Sequence, residues 1–386
     1  MIIDRIQKSI NEAKQFLIDS IIDIDYNGQC INGFPHYRGK KRITEYGGTS
    51  SAISALYKIG TLTNGIYACT QNALKWLWSK QNSDGAWQSS QLYCSEVTAG
   101  VLKDLSNIKS QIPQNTKKIA CQYIKSCYEE NGYFKSDPHN IAVPHIFTTY
   151  ICTNALILYD DFNDNMKDKI KKWIIDSHAV EKNGWGITPQ SNEIKISSTI
   201  FALKTLLLCN YPKNQLNKKF KKDLLYLKHM IASCGNLYED EEVNIQLGTD
   251  EYGVVYKTLR YSHYTAALLG DFFMENEDYQ SLLNVIDKIL NAQFTGGWGI
   301  SKDYLSMWAT NQVVDLLKRF KESIYPRLNK YKLFFYKIPF FAIKIISSII
   351  IIAIVVFLIC NSKESRDTLI VSFLIAIVPW LFRRYY

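Results

Sequence analysis

The chain has 386 residues, 47% hydrophobic and 21% charged, a balance that can bury a real core. Its formal charge is +9, but the basic residues are spread out and no recognition motif accompanies them, so nucleic acid is not an expected partner. Nine cysteines, odd in number and without a CxxC pair, exclude a disulfide framework and read as reduced thiols serving as small buried hydrophobes.

In chain order, Ile3, Ile6, Ile10, Ala13, Leu17 and Ile21 recur on one face of a first helix. Asp4, Arg5, Lys8 and Glu12 interrupt its apolar run, which argues against a cleaved signal peptide. The basic stretch His36 to Arg42 reads as a solvated loop, with lipid or phosphate contact near a membrane as the alternative. Helical periodicity continues to about residue 322 in roughly a dozen helices, joined by short loops rich in Gly, Asn and Asp. No run of alternating strands is expected.

A signature recurs along these helices. Its sharpest copy, Trp76, Leu77, Gln81, Gly85 and Trp87, reads aromatic-Leu-x3-Gln-x3-Gly-x-Trp. Worn copies are Tyr123 and Ile124 with Gly132 and Phe134; Trp173 and Ile174 with Gly184 and Trp185; Tyr226 and Leu227 with Gly235 and Leu237; and Ile289 and Leu290 with Gln293, Gly296, Gly297 and Trp298. The glycines recur at about 50-residue intervals, the scale of a two-helix unit. The aromatic-Leu pair buries one face of an outer helix, glycine turns the chain at the helix end, and Trp covers the gap between neighbouring hairpins. A second signature, Thr followed by small and aliphatic residues, opens each partner helix at Thr98, Thr153, Thr199, Thr265 and, weakly, Thr310. With a first pair near residues 2–22 and 47–60, six hairpins result, enough to close an (α/α)6 toroid.

On these motifs the region 1–322 resembles the terpenoid cyclase and protein prenyltransferase superfamily. Gln81, Gly85 and Trp87 match its QW motif, and the turns at Gly184-Trp185-Gly186 and Gly297-Trp298-Gly299 look like its Gly-Trp-Gly turns. The resemblance implies an all-α barrel around a cavity, usually apolar, that holds isoprenoid chains. Class II cyclases place a DxDD acid before a Thr-Ala pair. Here Cys94-Ser95-Glu96-Val97 precedes Thr98-Ala99, so the resemblance puts Glu96 in the place of the proton donor, with the flanking aspartates missing. His263 loosely matches the histidine of the prenyltransferase zinc set, but no Asp and Cys partners align, so neither metal nor cofactor is expected.

Glu96 and His263 occupy equivalent places at inner-helix starts and are the candidate catalytic residues. Glu96 also reads as an ordinary helix-start acid, favoured there by the helix dipole, and His263 as a satisfied polar residue. Lys257 and Arg260, clustered with His263, are candidate contacts to a diphosphate or anionic head group. Glu239 to Glu242 read as a solvated acidic loop.

After a basic linker at 323–337, the stretch Ile338 to Cys360 is apolar except for Lys344, long enough for a membrane span. A second apolar segment, 368–382, follows a charged loop and contains Pro379. Lysines and arginines before the first segment, and Arg383 and Arg384 after the second, put the N-terminal domain and the C-terminus in the cytoplasm. Two functions follow. The first is a membrane-anchored enzyme acting on an isoprenoid or other hydrophobic substrate as a cyclase or prenyl transferase. The second is a non-catalytic toroid that senses a lipid or small ligand and works through its membrane hairpin, as a bacterial defence effector would. Membrane lipids are partners in both.

Overall fold

Thirteen α-helices carry the described chain, and their burial patterns sort them into two rings. The computed structural model describes residues 2–328 apart from 27–28, 39–43, 61, 88–93, 139–143, 192, 234–237 and 251–252. Side chains at 24, 26, 29–30, 232–233, 243–250, 253–257 and 259 are likewise outside the description.

The helices alternate outer and inner. α1 (Ile2–Ile18) precedes α2 (Tyr46–Ile59), α3 (Asn64–Ser79) precedes α4 (Cys94–Asp104), α5 (Gln114–Ser126) precedes α6 (Ile146–Leu158), and α7 (Asp164–Asp176) precedes α8 (Ile196–Leu208). In the fifth unit the outer helix is split into α9 (Lys213–Lys219) and α10 (Lys221–Ser233) before α11 (Thr265–Glu275); α12 (Tyr279–Asn291) and α13 (Met307–Arg319) complete the sixth. Outer α7 buries only Met166, Ile170 and Ile174, one stripe at helical spacing. Inner α8 is buried at every position from Ile196 to Leu206, as a helix walled by neighbours must be. Each inner helix touches the next, α2 to α4, α6, α8, α11 and α13, and α13 returns to α2, so the inner ring is closed.

The repeat signature does the stitching. The indole Nε1 of Trp87, Trp185 and Trp298 donates to the carbonyls of Leu77, Ile174 and Ile289, at 2.8, 2.8 and 2.9 Å, satisfying acceptors at the ends of outer helices. Gln81 Nε2 reaches Gly85 O and, on the next outer helix, Thr116 O. Gln293 does the same between Gly296 O and Ser9 O, joining the last repeat to the first. Gly85, Gly132 and Gly296 have φ of 102°, 95° and 87°, and a Cβ on any of them would sit 2.3 Å from a carbonyl oxygen of the next outer helix. Both the left-handed turn and the close approach demand glycine. In the last repeat that glycine is therefore Gly296; Gly297 packs on Phe16.

The threonine signature recurs at Thr98, Thr199 and Thr310, shifts register in the third repeat and extends to Thr49; the turn that Thr265 would meet lies outside the described residues. Thr49, Thr98, Thr149, Thr199 and Thr310 each accept, through Oγ1, a hydrogen bond from the backbone N–H of Phe34, Trp87, Phe134, Trp185 and Trp298, at 3.1 to 3.3 Å. In the third repeat the residue is Thr149, one turn before the expected Thr153, whose buried hydroxyl has no partner among the described residues. The fifth copy of the turn, Gly235 and Leu237, lies outside the described residues.

Strands, unexpected from sequence, occupy the loops. β1 (Ile22–Tyr26) and β2 (Gln29–Gly33) form a hairpin. β3 (Tyr37–Arg38) joins two strands of the last repeat in a three-stranded sheet, and β4 (Tyr128–Glu129) pairs with β5 (Tyr133–Phe134). β6 (Glu239–Asp250) and β7 (Gly253–His263) form a long antiparallel hairpin; β8 (Trp298–Ser301) and β9 (Tyr304–Ser306) close the set. The compact unit built this way spans Met1–Arg327, and a second unit spans Leu328–Tyr386. Among the described residues no helix is long and apolar enough to cross a membrane; the expected spans at 338–360 and 368–382 lie outside them.

Candidate functional site

Glu96 stands in the first turn of inner helix α4 and is 6% exposed. Three hydroxyls converge on one of its oxygens. Oε1 accepts from Thr148 Oγ1 at 2.5 Å, Ser136 Oγ at 2.6 Å and Tyr261 OH at 2.8 Å. Among the described residues Oε2 has only the longer contact from Ser95 Oγ, at 3.2 Å. When Glu96 carries a proton, the crowding of donors on Oε1 assigns it to Oε2.

Tyr261 arrives from the base of the β6–β7 hairpin. Strand alternation sends Glu239, Glu241, Tyr261 and His263 toward the inner helices and leaves Asp240, Glu242 and Arg260 exposed. The acidic run is thus not a solvated loop. Glu239 caps α8, accepting from the N–H groups of Ile196 and Ser197 at 3.2 and 2.8 Å. Glu241, fully buried, accepts from Ser197 and Ser198 hydroxyls at 2.7 and 2.6 Å and lies 3.1 Å from His263 Nε2. Burial alone would raise the Glu241 carboxyl, but His263, His145 and the Ser198 bond outweigh it and hold it down to about 2.

His145, the N-cap of α6, links the two carboxylates. Its Nδ1 accepts from Thr148 N at 3.3 Å, and its Nε2 lies 3.8 Å from Glu241, buried without a hydrogen-bond partner among the described residues. Burial lowers its pKa, favouring the neutral ring. The imidazole stacks on Tyr261 at 4.7 Å, and Phe147, Tyr150, Phe201 and His263 continue the aromatic layer. Burial also raises the thiols of Cys127 and Cys152 and keeps them protonated, which removes them as nucleophiles.

Toward the other ends of the inner helices the wall is charged. Lys204 pairs with Asp271 and with Glu275 at 2.9 Å; Asp271 also meets Arg319, which reaches Asp315 at 2.8 Å; Asp315 meets Lys58 at 3.0 Å. Lys58 contacts Asn311, which donates to Asp104, itself bound by Ser50 and Ser51. The chain of contacts crosses five of the six inner helices and departs from the apolar wall that the sequence resemblance implies.

Of the expected site residues, Glu96 and His263 lie in one buried cluster, joined through Tyr261, His145 and Glu241. Arg260 does not belong to it: three residues from His263 on one strand, it faces the other way, 67% exposed, and pairs with Glu242 at 2.5 Å. Lys257 pairs through its backbone with Ile245, and its side chain lies outside the described residues. Gln81, Gly85, Trp87, Gly184, Trp185, Gly297 and Trp298 are architectural. Sequence reading missed His145, Thr148, Ser136, Glu241 and Tyr261; alternation across 239–242 and 260–263 was the signal available for the last two. Among the described residues no group of three His, Cys, Asp or Glu side chains is placed to hold a metal.

The family model of the prenyltransferase α/α toroid domain matches residues 3–176 and 90–240. The chain belongs to this family. Among solved structures it is similar to the type II terpene cyclase MstE from Scytonema in its apo form, with 11% identity and a TM-score of 0.52 over 83% of this chain and 98% of that one. A variant of the same cyclase in complex with geranylgeranyl dihydroxybenzoate gives 10% identity and the same TM-score and coverage. At these identities the likeness is one of fold. No curated protein matches the chain in sequence.

Proposed function

We propose that this toroid is an acid-initiated isoprenoid enzyme of the cyclase type, with Glu96 as proton donor. The observation that carries the reading is the triple hydroxyl grip on Oε1, which leaves Oε2 to hold a transferable proton beside an aromatic layer. Glu96 Oε2–H protonates a terminal C=C bond, and its electron pair forms the new C–H bond. The resulting tertiary cation is attacked by a neighbouring π bond, and a proton lost from the cyclised cation balances the one donated. Phe147, Phe201 and Tyr261 stabilise positive charge through their ring faces. Support for an isoprenoid ligand comes from the fold relative bound to geranylgeranyl dihydroxybenzoate. The test is mass spectrometry of products from squalene and C15–C20 prenyl diphosphates; a product formed by the native chain and absent with Glu96→Gln supports the reading.

The apolar segments at 338–360 and 368–382 anchor the enzyme as a two-span hairpin beside a pool of hydrophobic substrate, with both chain ends cytoplasmic. Alkaline carbonate extraction tests this: the full chain stays with the membrane pellet, and a chain ending at Arg327 is released.

A second reading is favoured by one contact. Tyr261 closes over Glu96 from a hairpin that is not part of the helical repeat. A ligand that displaced the hairpin would make the ring a non-catalytic sensor coupled to the membrane segments. Co-purifying lipid without turnover would favour that reading.

A further inference from the structure

Between Glu96 and the charged wall, α4 has an opening. Glu96, Gly100 and Lys103 lie one turn apart on a single helix face. A methyl group added at Gly100 would meet no atom within 4 Å, although Ala99 and Val101 beside it are completely buried. The free space therefore adjoins the face that Glu96 and Lys103 share, inside the ring. Tyr150 and Phe201, stacked at 4.9 Å, line the neighbouring inner helices below Phe147.

Lys103 closes the opening at its far end. It is part-buried on the same face as Gly100, and its ammonium feels Tyr150 on α6, Asp104 on its own helix, Lys204 on α8 and Asp315 on α13. It makes no hydrogen bond or ion pair among the described residues. The carboxylates near it are already engaged: Asp315 by Lys58 and Arg319, and Asp104 by Ser50, Ser51 and Asn311. Burial works against its charge, but Tyr150, Asp104 and Asp315 prevail over burial and over Lys204, so the ammonium stays protonated.

We infer that the ring binds an amphiphile with a carboxylate-like anionic end on Lys103 and an unsaturated apolar chain running past Gly100, Tyr150 and Phe201 to Glu96. Seven residues of helix separate the two ends, a span of about 10 Å. The inference rests on Glu96 as the reacting end and adds which class of isoprenoid fits: one with an acid group at the end remote from the protonated bond.

The test reads binding apart from turnover. Full-length protein carrying Glu96→Gln, in nanodiscs, is titrated calorimetrically with geranic acid and with geraniol, a pair that differs only in the acid group. The acid is expected to bind about tenfold tighter or more, as a charge-assisted hydrogen bond would give. Lys103→Met should remove that preference and leave geraniol unchanged, and Lys103→Arg should restore most of it. Gly100→Phe should abolish binding of both, with the circular-dichroism melt confirming the fold. Equal binding of acid and alcohol, an acid preference that survives Lys103→Met, or no binding of geranic acid at all overturns the inference. Native turnover that depends on Glu96, without Lys103-dependent binding, keeps the acid and discards this site; Lys103-dependent binding without turnover does the reverse.

Discussion

The phenol of Tyr261 donates a 2.8 Å hydrogen bond to Glu96 Oε1 across 165 residues of sequence, fastening the base of the β6–β7 hairpin to the start of inner helix α4. Burial and the neighbouring carboxylate both push the phenol's pKa well above its ordinary value, so it remains a donor at every working pH. Removing the hydroxyl with Tyr261→Phe should cost about 1 kcal/mol of stability, the worth of one buried hydrogen bond, measured by urea unfolding. On the proposed mechanism it should also lower kcat more than it changes KM, because it alters the acid and leaves the chain-binding wall intact.

The glycine turns predict a graded response. Gly85→Ala and Gly296→Ala impose a left-handed backbone on alanine and drive its methyl into a carbonyl, so each should cost about 2 kcal/mol or more. Gly65→Ala, in open space within α3, should be neutral or stabilising by about 0.5–1 kcal/mol. Thermal melts of the three variants check the order.

Acid should unfold the ring in two stages. His145 has a pKa lowered by burial, so its unfolded form takes up a proton first and stability begins to fall below about pH 6.5. Glu241, depressed to about 2, contributes stability that is complete above its unfolded value near 4.5 and is lost as pH falls toward 2. That contribution is on the order of 3 kcal/mol. Glu241→Gln should flatten the stability curve between pH 4.5 and 2 and leave the higher stage in place, as read by unfolding at a series of pH values.

The charged wall should behave as a unit. Asp271→Ala takes one of two carboxylates from Lys204, which is 9% exposed at the side chain and keeps Glu275, and should destabilise by about 2–3 kcal/mol. Replacing the group together, Lys204→Met and Asp271→Leu with Glu275→Gln, should recover most of the loss, since Arg319 keeps Asp315 and no charge of the group is left unpaired. Urea unfolding of the single and combined variants measures the recovery.

Much of this architecture was legible because the repeat is enforced by backbone geometry. Gly85 and Gly132 cannot be replaced without collision, and Trp87, Trp185 and Trp298 each seal an outer helix end, so these residues recur in sequence at the period of the fold. The threonine register slipped in the third repeat because Thr149 and Thr153 lie one turn apart on the same helix, and only the hydrogen bond to Phe134 N distinguishes them. The candidate site was half legible. Glu96 stands at a helix start that the repeat marks out, whereas Glu241 and Tyr261 belong to strands whose inward positions are polar. A run of four acidic residues has no apolar alternation to betray it, and its buried member is recognised only once Ser197, Ser198 and His263 surround it.

The most direct measurement of the central claim is isotopic. The native chain, turned over with an isoprenoid substrate in D2O, should yield a cyclised product carrying one deuterium at the carbon that Glu96 protonates, and Glu96→Gln should yield none. Product without deuterium, or labelled product undiminished in Glu96→Gln, would contradict Glu96 as the acid.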